Sequence, residues 1–250
     1  MIRFFLILAT LILGANAAYA QSTKIAVAAN MKGAFSEILE SYKSQGRSEI
    51  QVVYGSSGNF SAQILNGAPF GLFIAADEHF PLELYKKGKT INEGAIYAIG
   101  KLAFIVKTSS GIQIGSHKAE IAKAIAKANK VAIAKPELAP YGKAAIEYLK
   151  ADGLWELAKD KLVYGDNVGV ATHYVVTGGA DLGFTALSLA KTTEVAKETS
   201  YVLVSDGLYE PISQRMVLIK GASPQAQELY RYMQSAQAKS ILQKYGYITP

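Results

Sequence analysis

The chain has 250 residues, of which 50% are hydrophobic and 18% are charged, and its formal net charge is +6. These proportions exclude a disordered chain, and the length allows one large domain or two compact ones. Because it contains no cysteine, a disulfide framework, cysteine-based metal sites and a thiol nucleophile are excluded, while the positive charge leaves nucleic acid, anionic lipid and a small anion open as partners.

The first twenty residues have the pattern of a secretory signal peptide. Arg3 precedes an apolar run from Phe4 to Ala15, and Ala18-Tyr19-Ala20 forms a small-x-small cleavage site. A transmembrane anchor would need about 20 continuous apolar residues, and Gly14 interrupts this run. We therefore predict cleavage after Ala20. Without a cysteine to acylate, the product would be a soluble periplasmic protein, with 25 basic residues after loss of Arg3 against 20 acidic ones, a charge of +5.

From Gln21 onward, short β-prone runs alternate with helical patterns and turn residues, which is typical of βα units around mainly parallel sheets. Nine strands are predicted: Lys24–Ala28, Ile50–Tyr54, Leu72–Ala75, Leu102–Lys107, Val131–Ala134, Leu162–Tyr164, Leu182–Thr185, Tyr201–Val204 and Gln214–Ile219. Nine strands are many for one compact sheet, so the pattern favours two α/β lobes of about 110 residues each.

The predicted helices and the chain crossings follow from the same pattern. Apolar residues from Phe35 to Tyr42 and from Ala144 to Leu149 recur at helical spacing, and two helices follow Pro224 at the C-terminus. Turn residues near Gly100 and before Ser213 precede strands that re-enter a core. We therefore predict a discontinuous division, in which residues 21–100 with 213–250 form lobe 1 and residues 101–212 form lobe 2.

Four strand-to-helix turns carry neutral hydrogen-bond donors, two in each predicted lobe. In α/β sheets, ligands bind beyond the carboxyl ends of the strands, where helix N-termini favour anions. The four turns are Asn30, expected as an N-cap, Gly55-Ser56-Ser57-Gly58 before a helix from about Asn59, Ala139-Pro140-Tyr141-Gly142, and Asp166-Asn167-Val168. Each alone also fits an ordinary cap or turn. Together they predict an anion held in a cleft without a counter-charge.

These segments together resemble the periplasmic molybdate-binding proteins, in order and over nearly the whole mature chain. The resemblance lies in Lys24-Ile-Ala-Val-Ala-Ala-Asn30, Gly55-Ser-Ser-Gly58, Gly67-Ala-Pro-Phe-Gly-Leu-Phe-Ile-Ala-Ala-Asp77, Ala139-Pro-Tyr-Gly142, Asn167-Val168 and Leu242-Gln-Lys-Tyr-Gly-Tyr247. It implies a two-lobe type II periplasmic binding protein fold, each lobe a mostly parallel sheet flanked by helices, with the ligand in the interlobe cleft. It also implies a monomer without a cofactor that binds molybdate or tungstate for the membrane permease of an ABC transporter.

The resemblance also implies four anion-binding residues. Asn30 falls where the family has a hydroxyl donor, although a subgroup resembles this chain in having asparagine there. Ser57 matches the second-loop serine, and Tyr141 and Val168 match backbone N–H donors. Some members add a tyrosine hydroxyl where this chain has Ala186, so we expect the Tyr141 hydroxyl or the Asn30 amide to replace it. A further departure, Gly71 in place of aspartate, is expected to concern local packing.

Other chemistries find weaker support in the sequence. The three histidines lie far apart without metal-ligand spacing, so we predict no metal site. Ser57 lacks the Gly-x-Ser-x-Gly elbow, and no catalytic residue is predicted. A stripe of Lys123, Lys127 and Lys130 has no interleaved aromatic residue, so we expect a solvated helix face and no nucleic acid. The alternatives are the same fold with another small anion, and an exported hydrolase, which would need a base near Ser57.

Overall fold

The structure is a computed structural model that describes residues 23–47 and 50–250. The predicted signal peptide and its cleavage site lie outside these residues. Among the described helices, none has the length and apolar composition that crossing a membrane requires.

The described residues form ten strands. They are β1 (Lys24–Ala28), β2 (Gln51–Gly55), β3 (Phe70–Ile74), β4 (Ala95–Gly100), β5 (Leu102–Lys107), β6 (Val131–Ala134), β7 (Leu162–Gly165), β8 (Leu182–Ala186), β9 (Thr199–Leu203) and β10 (Ile212–Leu218). Nine correspond to the predicted runs, with ends displaced by at most two residues. Strand β4 was not predicted, because its alanines have low β propensity and glycines stand at Gly94 and Gly100.

Eleven α-helices occur in the described part of the chain. They are α1 (Lys32–Lys43), α2 (Ser57–Leu65), α3 (His79–Lys86), α4 (Lys118–Lys127), α5 (Pro140–Ala151), α6 (Trp155–Ala158), α7 (Val168–Thr177), α8 (Leu187–Ala190), α9 (Thr193–Glu198), α10 (Pro224–Tyr232) and α11 (Ala236–Lys244). Helix α2 begins at Ser57, two residues earlier than the start expected from the sequence. Ser57 therefore belongs to the first helical turn.

The strands form two five-stranded sheets, with the order β2-β1-β3-β10-β4 in the first and β7-β6-β8-β5-β9 in the second. In the first sheet β1, β2 and β3 are parallel, and β10 pairs antiparallel with both β3 and β4. In the second sheet β6, β7 and β8 are parallel, and β5 pairs antiparallel with β8 and β9. Four strands of each sheet thus run in one direction, as the sequence predicted.

Each sheet has helices packed on both faces, which makes two lobes. Side chains alternate along β1, so that Ile25 and Val27 face a core shared with α1, α10 and α11, whereas Ala26 faces α2 and α3. In the second lobe, α4, α5 and α6 cover one face and α7 covers the other. A strand buried on both faces needs apolar residues at consecutive positions, which explains the unbroken apolar run of β1.

The two lobes are in contact at the carboxyl ends of their parallel strands. Ala28 ends β1, and Ala29 and Ala76 lie just beyond β1 and β3. These three alanines belong to the same buried cluster as Ala139 and Tyr141 of the second lobe. Their small side chains allow the turns of the two lobes to approach closely. The strand-to-helix turns singled out in the sequence lie at this junction.

Candidate functional site

Asn30 lies directly after β1, in a 3-10 turn formed by residues 29–31. The prediction that it caps a helix is wrong, because α1 begins at Lys32 with Met31 at the N-cap position. The Asn30 side chain is instead buried at the lobe junction, with Nδ2 2.9 Å from Gln214 Oε1 and 2.8 Å from the Tyr247 hydroxyl. Its Oδ1 is also buried, and it has no hydrogen-bond partner.

Ser57 is the first residue of α2 and is buried. Its Oγ accepts a hydrogen bond of 2.9 Å from the backbone N–H of Ala76, which follows β3. The serine hydroxyl therefore keeps its own proton for another acceptor. The N–H of a first helical residue has no partner inside the helix, so Ser57 offers two donors at one point.

Tyr141 is the second residue of α5, after Pro140 at the first position. Proline has no N–H, so the Tyr141 N–H is the first donor of this helix, and the next one, from Gly142, is already bonded to Ala139 O at 2.8 Å. The Tyr141 side chain is buried, and its hydroxyl lies 3.1 Å from Gln214 Nε2. Backbone and side chain of Tyr141 thus both lie at the junction.

Val168 is the first residue of α7 and is buried. The preceding Asn167 is the N-cap, and its Oδ1 accepts a 3.1 Å hydrogen bond from the N–H of Val170. The cap satisfies the third N–H of the helix and leaves the Val168 N–H without an intrahelical acceptor. Of the four turns, this one has the asparagine N-cap expected at Asn30.

The four residues are buried close to contacts that join the two lobes. Asn30 and Tyr141 both contact Gln214. The start of α2 is bonded to the loop before α5, and a Cβ on Gly169 would stand 3.4 Å from Ala29 Cβ. Exposed fractions are 1% for Asn30 and Ser57, 2% for Tyr141 and 4% for Val168. Their assignment as anion-binding residues stays a prediction.

Sequence reasoning missed a set of polar side chains that surround Asn30. The Tyr247 hydroxyl lies 3.1 Å from Asn30 O and 2.9 Å from Ser188 Oγ, and Ser188 Oγ donates to Asn30 O at 2.8 Å. Gln214 and Tyr97 complete this set. Gln214 did carry a signal, because it is an uncharged polar residue at the start of a predicted strand. The other residues lie in segments whose sequence pattern does not indicate a contact with Asn30.

The tyrosines of this set are neutral. Burial raises the pKa of Tyr97 and of Tyr141 well above the usual 10, and burial likewise raises the pKa of Tyr247. Each hydroxyl therefore keeps its single proton at physiological pH. Within the described residues, the side chains around Asn30 are tyrosine, serine, asparagine and glutamine, so the region is polar but carries no formal charge.

Two open grooves border the lobe junction. One has a volume of about 1090 Å³ and includes Ala29, Asn167 and Gly169, which flank the first and fourth turns. The other, of about 1020 Å³, includes Asp77, Pro140 and Lys143. In both grooves, residues of the two lobes face each other. The four candidate residues do not line either groove, although their chain neighbours Ala29, Pro140, Asn167 and Gly169 do.

Comparison with known proteins places the chain among solute-binding proteins. The family model of bacterial extracellular solute-binding proteins matches residues 23–248. The chain is 36% identical to the molybdate-binding protein ModA of Azotobacter vinelandii over 93% of this chain and 92% of that protein, and 34% identical to ModA of Rhodobacter capsulatus over 90% and 87%. The solved structure of the A. vinelandii periplasmic molybdate-binding protein matches with a TM-score of 0.82 and 30% identity, covering 92% of this chain and 100% of that one.

Proposed function

The chain belongs to the bacterial extracellular solute-binding proteins, and from this membership we propose that it binds molybdate outside the cytoplasm and delivers it to an ABC-type membrane importer. The observation that carries the proposal is the group of buried, uncharged donors close to the contacts between the two lobes. We propose molybdate as the ligand because relatives with 36% and 34% identity are named molybdate-binding proteins. A transport role also accounts for the chain better than catalysis, because the hydrogen-bond partner of Ser57 Oγ among the described residues is a backbone N–H and not a side-chain base.

In this proposal Asn30, Ser57, Tyr141 and Val168 hold the oxyanion. Ser57 contributes its hydroxyl and its N–H, and Tyr141 and Val168 contribute the first free N–H groups of α5 and α7. Three helix N-termini then meet one dianion, which is the arrangement that favours a negative charge. Because two residues come from each lobe, a bound anion stabilises the lobes in contact.

Neutral donors are sufficient for tight binding. A hydrogen bond to a charged group contributes ~1.5–3 kcal/mol, so the five donors of Asn30, Ser57, Tyr141 and Val168 contribute on the order of 8–15 kcal/mol. Association costs about 4–15 kcal/mol, to which the desolvation of the dianion is added. The difference allows micromolar to nanomolar affinity without lysine or arginine in the site.

The same donors discriminate among anions. Hydrogen phosphate keeps a proton at neutral pH. That proton needs a hydrogen-bond acceptor, and a site made only of donors provides none. Sulfate carries no such proton, so its exclusion depends on the size of the enclosed space. Tungstate has the charge and nearly the shape of molybdate, and we propose that it binds as well.

Export and lobe motion belong to the same proposal. We propose that the signal peptide is removed after Ala20 and that the cysteine-free mature chain acts in the periplasm as an unanchored monomer. We also propose lobes of residues 21–100 with 213–250 and of residues 101–212, which the strand composition of the two sheets supports. The lobes open about the two crossings, and ligand contacts from both of them favour the closed form that docks on the permease.

Calorimetric titration of purified, ligand-free protein with molybdate, tungstate, sulfate and phosphate tests the function. We expect heat with the two metal oxyanions and none with phosphate or sulfate at the same concentrations. A folded protein that gives no heat with molybdate or tungstate would refute the proposal. Binding of another anion alone would favour the alternative, in which the same fold serves a different small anion.

A further inference from the structure

Helix α8 of the second lobe is packed against the C-terminal turn of the first. All four residues of this helix are buried. The Leu187 side chain contacts the backbone of Gly246, where a Cβ would stand 2.5 Å from Leu187 Cδ2. Gly246 also has a φ of +87°, so both the backbone conformation and the packing require glycine at this position. The C-terminal turn therefore fits α8 closely.

The segment after α8 fits against α1 of the first lobe in a similar way. A Cβ on Gly33 of α1 would stand 2.7 Å from Thr192 Cγ2 and 2.9 Å from the Tyr245 ring. Helix formation does not account for this glycine, because alanine has the higher helix propensity. The missing side chain makes room for Thr192 of the other lobe.

Polar contacts join the same elements. Ser188 Oγ of α8 donates a hydrogen bond of 2.8 Å to Asn30 O. The Tyr247 hydroxyl lies 2.9 Å from Ser188 Oγ and 3.1 Å from Asn30 O. All three residues are buried, and Ser188 belongs to the second lobe while the other two belong to the first. The helix α8 is thus hydrogen-bonded to a candidate ligand residue of the opposite lobe.

These contacts lie beside the first chain crossing between the lobes. Lys101 is the single residue between β4 of the first sheet and β5 of the second. The N–H of Leu187 donates a hydrogen bond of 2.9 Å to Lys101 O. On the other side of the crossing, Ile99 and Ile248 exchange two backbone hydrogen bonds of 2.7 and 3.0 Å. Helix α8 and the C-terminal turn are therefore each hydrogen-bonded to the chain next to the crossing.

Another contact between the lobes lies farther from the crossings. The N–H of Gly58 donates to Leu138 O at 2.9 Å. Gly58 follows β2, which β1 and β3 separate from β10. With about 4.8 Å between neighbouring strands, β2 lies roughly 14 Å from β10. In a rigid rotation the displacement grows with distance from the axis, so opening about the crossings separates Gly58 from Leu138 far more than α8 from the C-terminal turn.

We propose that α8 is the pivot of lobe opening, where Gly33 and Gly246 stay in contact with the second lobe in the open form. The contact between Gly58 and Leu138 breaks. The inference rests on the lobe motion of the proposed function and identifies where that motion is centred. The C-terminal turn then serves as a third link between the lobes, which is non-covalent, in addition to the two chain crossings.

The pivot gives the candidate ligand residues different parts in closure. Asn30 keeps its place against the second lobe in both forms, because Ser188 holds its carbonyl oxygen. Ser57 precedes Gly58, so it moves away with the breaking contact. An incoming anion therefore meets Asn30 beside a fixed part of the second lobe, and Ser57 reaches its closed position when the lobes close.

Nuclear Overhauser spectroscopy on the unaltered, isotope-labelled protein compares the two contacts. In the ligand-free protein we expect cross-peaks between the Leu187 methyl groups and the Gly246 α protons, and none between the α protons of Gly58 and Leu138. Molybdate should produce the second set and leave the first unchanged. Absence of the Leu187–Gly246 cross-peaks from the free protein would overturn the proposal. Gly58–Leu138 cross-peaks that are already present without molybdate would refute the opening, and the pivot with it.

A disulfide between α1 and the segment after α8 tests the pivot by restraint. Because the chain has no cysteine, Gly33→Cys with Thr192→Cys supplies the only two thiols. The Cβ position at Gly33 lies 2.7 Å from Thr192 Cγ2, a position that a cysteine Sγ can occupy, so the pair suits a disulfide. We expect it to form in the free protein and to leave molybdate affinity equal to that of the reduced form. A folded protein in which the pair oxidises only with molybdate present, or not at all, would overturn the pivot.

Small-angle X-ray scattering of the oxidised and reduced forms separates the remaining outcomes. We expect both forms to have the same radius of gyration without ligand and to become more compact with molybdate. An oxidised form that is compact without ligand, beside a reduced form that is expanded, would overturn the pivot, because the disulfide would then hold the lobes closed. If both forms are equally expanded and neither binds molybdate, the proposed function fails while the pivot stands.

Discussion

The backbone N–H of Gly58 donates a hydrogen bond of 2.9 Å to the carbonyl oxygen of Leu138, and this bond joins the two lobes. Gly58 follows Ser57 at the start of α2, and Leu138 precedes the turn that contains Tyr141. The contact requires the absence of a side chain, because a Cβ on Gly58 would lie 3.0 Å from both Leu138 Cα and the Phe80 ring. The closed arrangement therefore depends on a glycine beside a candidate ligand residue.

We expect Gly58→Ala to weaken molybdate binding while the free protein stays folded. The added methyl group pushes the loop at Leu138 away and so penalises the closed form, which we expect to cost about tenfold in affinity, or ~1.4 kcal/mol. Calorimetric titration with molybdate measures this loss of affinity. Gly207→Ala is the control, since nothing lies within 4 Å of a Cβ there. Equal affinity in the two variants would contradict the prediction.

Ser57→Ala and Asn30→Ala should each weaken molybdate binding by about 1–3 kcal/mol, roughly 5- to 150-fold. Each change removes a side-chain donor to a charged ligand. Ser61→Ala provides a matched comparison on the same helix, because Ser61 is buried and its hydroxyl has no partner. We expect wild-type affinity in that variant. If Ser57→Ala and Asn30→Ala bind as tightly as Ser61→Ala, the site is misplaced.

Gly100→Ala tests the packing around the Gln214 amide. A methyl group at this position overlaps the Tyr141 hydroxyl and Gln214 Nε2, and overpacking of this kind costs about 1–3 kcal/mol of folding free energy. Urea denaturation should show the loss, and molybdate affinity should fall with it. Gly207→Ala again serves as the control. A Gly100→Ala protein with wild-type stability and affinity would show that these side chains can move apart freely.

Asp77 gives the protein a pH-dependent stability. Burial raises the pKa of this carboxyl from 3.8 to about 6, partly opposed by the hydrogen bond from the Phe80 N–H. The native protein then binds more protons than the unfolded chain between about pH 4 and pH 6, so stability falls as the pH rises through that window. Above about pH 6, the stability that protonated Asp77 contributes is lost completely.

Asp77→Asn should therefore raise the free energy of unfolding at about pH 7.5 and leave it unchanged near pH 3.5. The asparagine is neutral at both values, and its Oδ1 can still accept from the Phe80 N–H. Urea denaturation at the two pH values measures the difference. Asp160→Asn, at an exposed position, controls for the loss of one negative charge. An equal effect of Asp77→Asn at both pH values would contradict the assignment.

The sequence by itself determined the two-lobe α/β architecture. Residues 25–28 of β1 and the whole of β6 are short unbroken apolar runs, and the intervening helices show apolar residues at helical spacing, so local patterning fixes both kinds of element. The turns at Ser57, Tyr141 and Val168 were also visible, because glycine, proline and asparagine mark helix starts. The family resemblance, confirmed by the comparisons, followed from the order of these turns.

Only the tertiary structure decided which buried polar side chains are hydrogen-bonded to one another. Gln214 and Tyr247 contact Asn30 across separations of 184 and 217 residues, and Tyr97 contacts Gln214. No local sequence period encodes such contacts. They depend on β10 returning between β3 and β4, and on the shifted register at Tyr97. The sequence alone predicts which helix N-termini carry N–H donors. The tertiary structure decides which of these donors are left without a protein acceptor and so can bind a ligand.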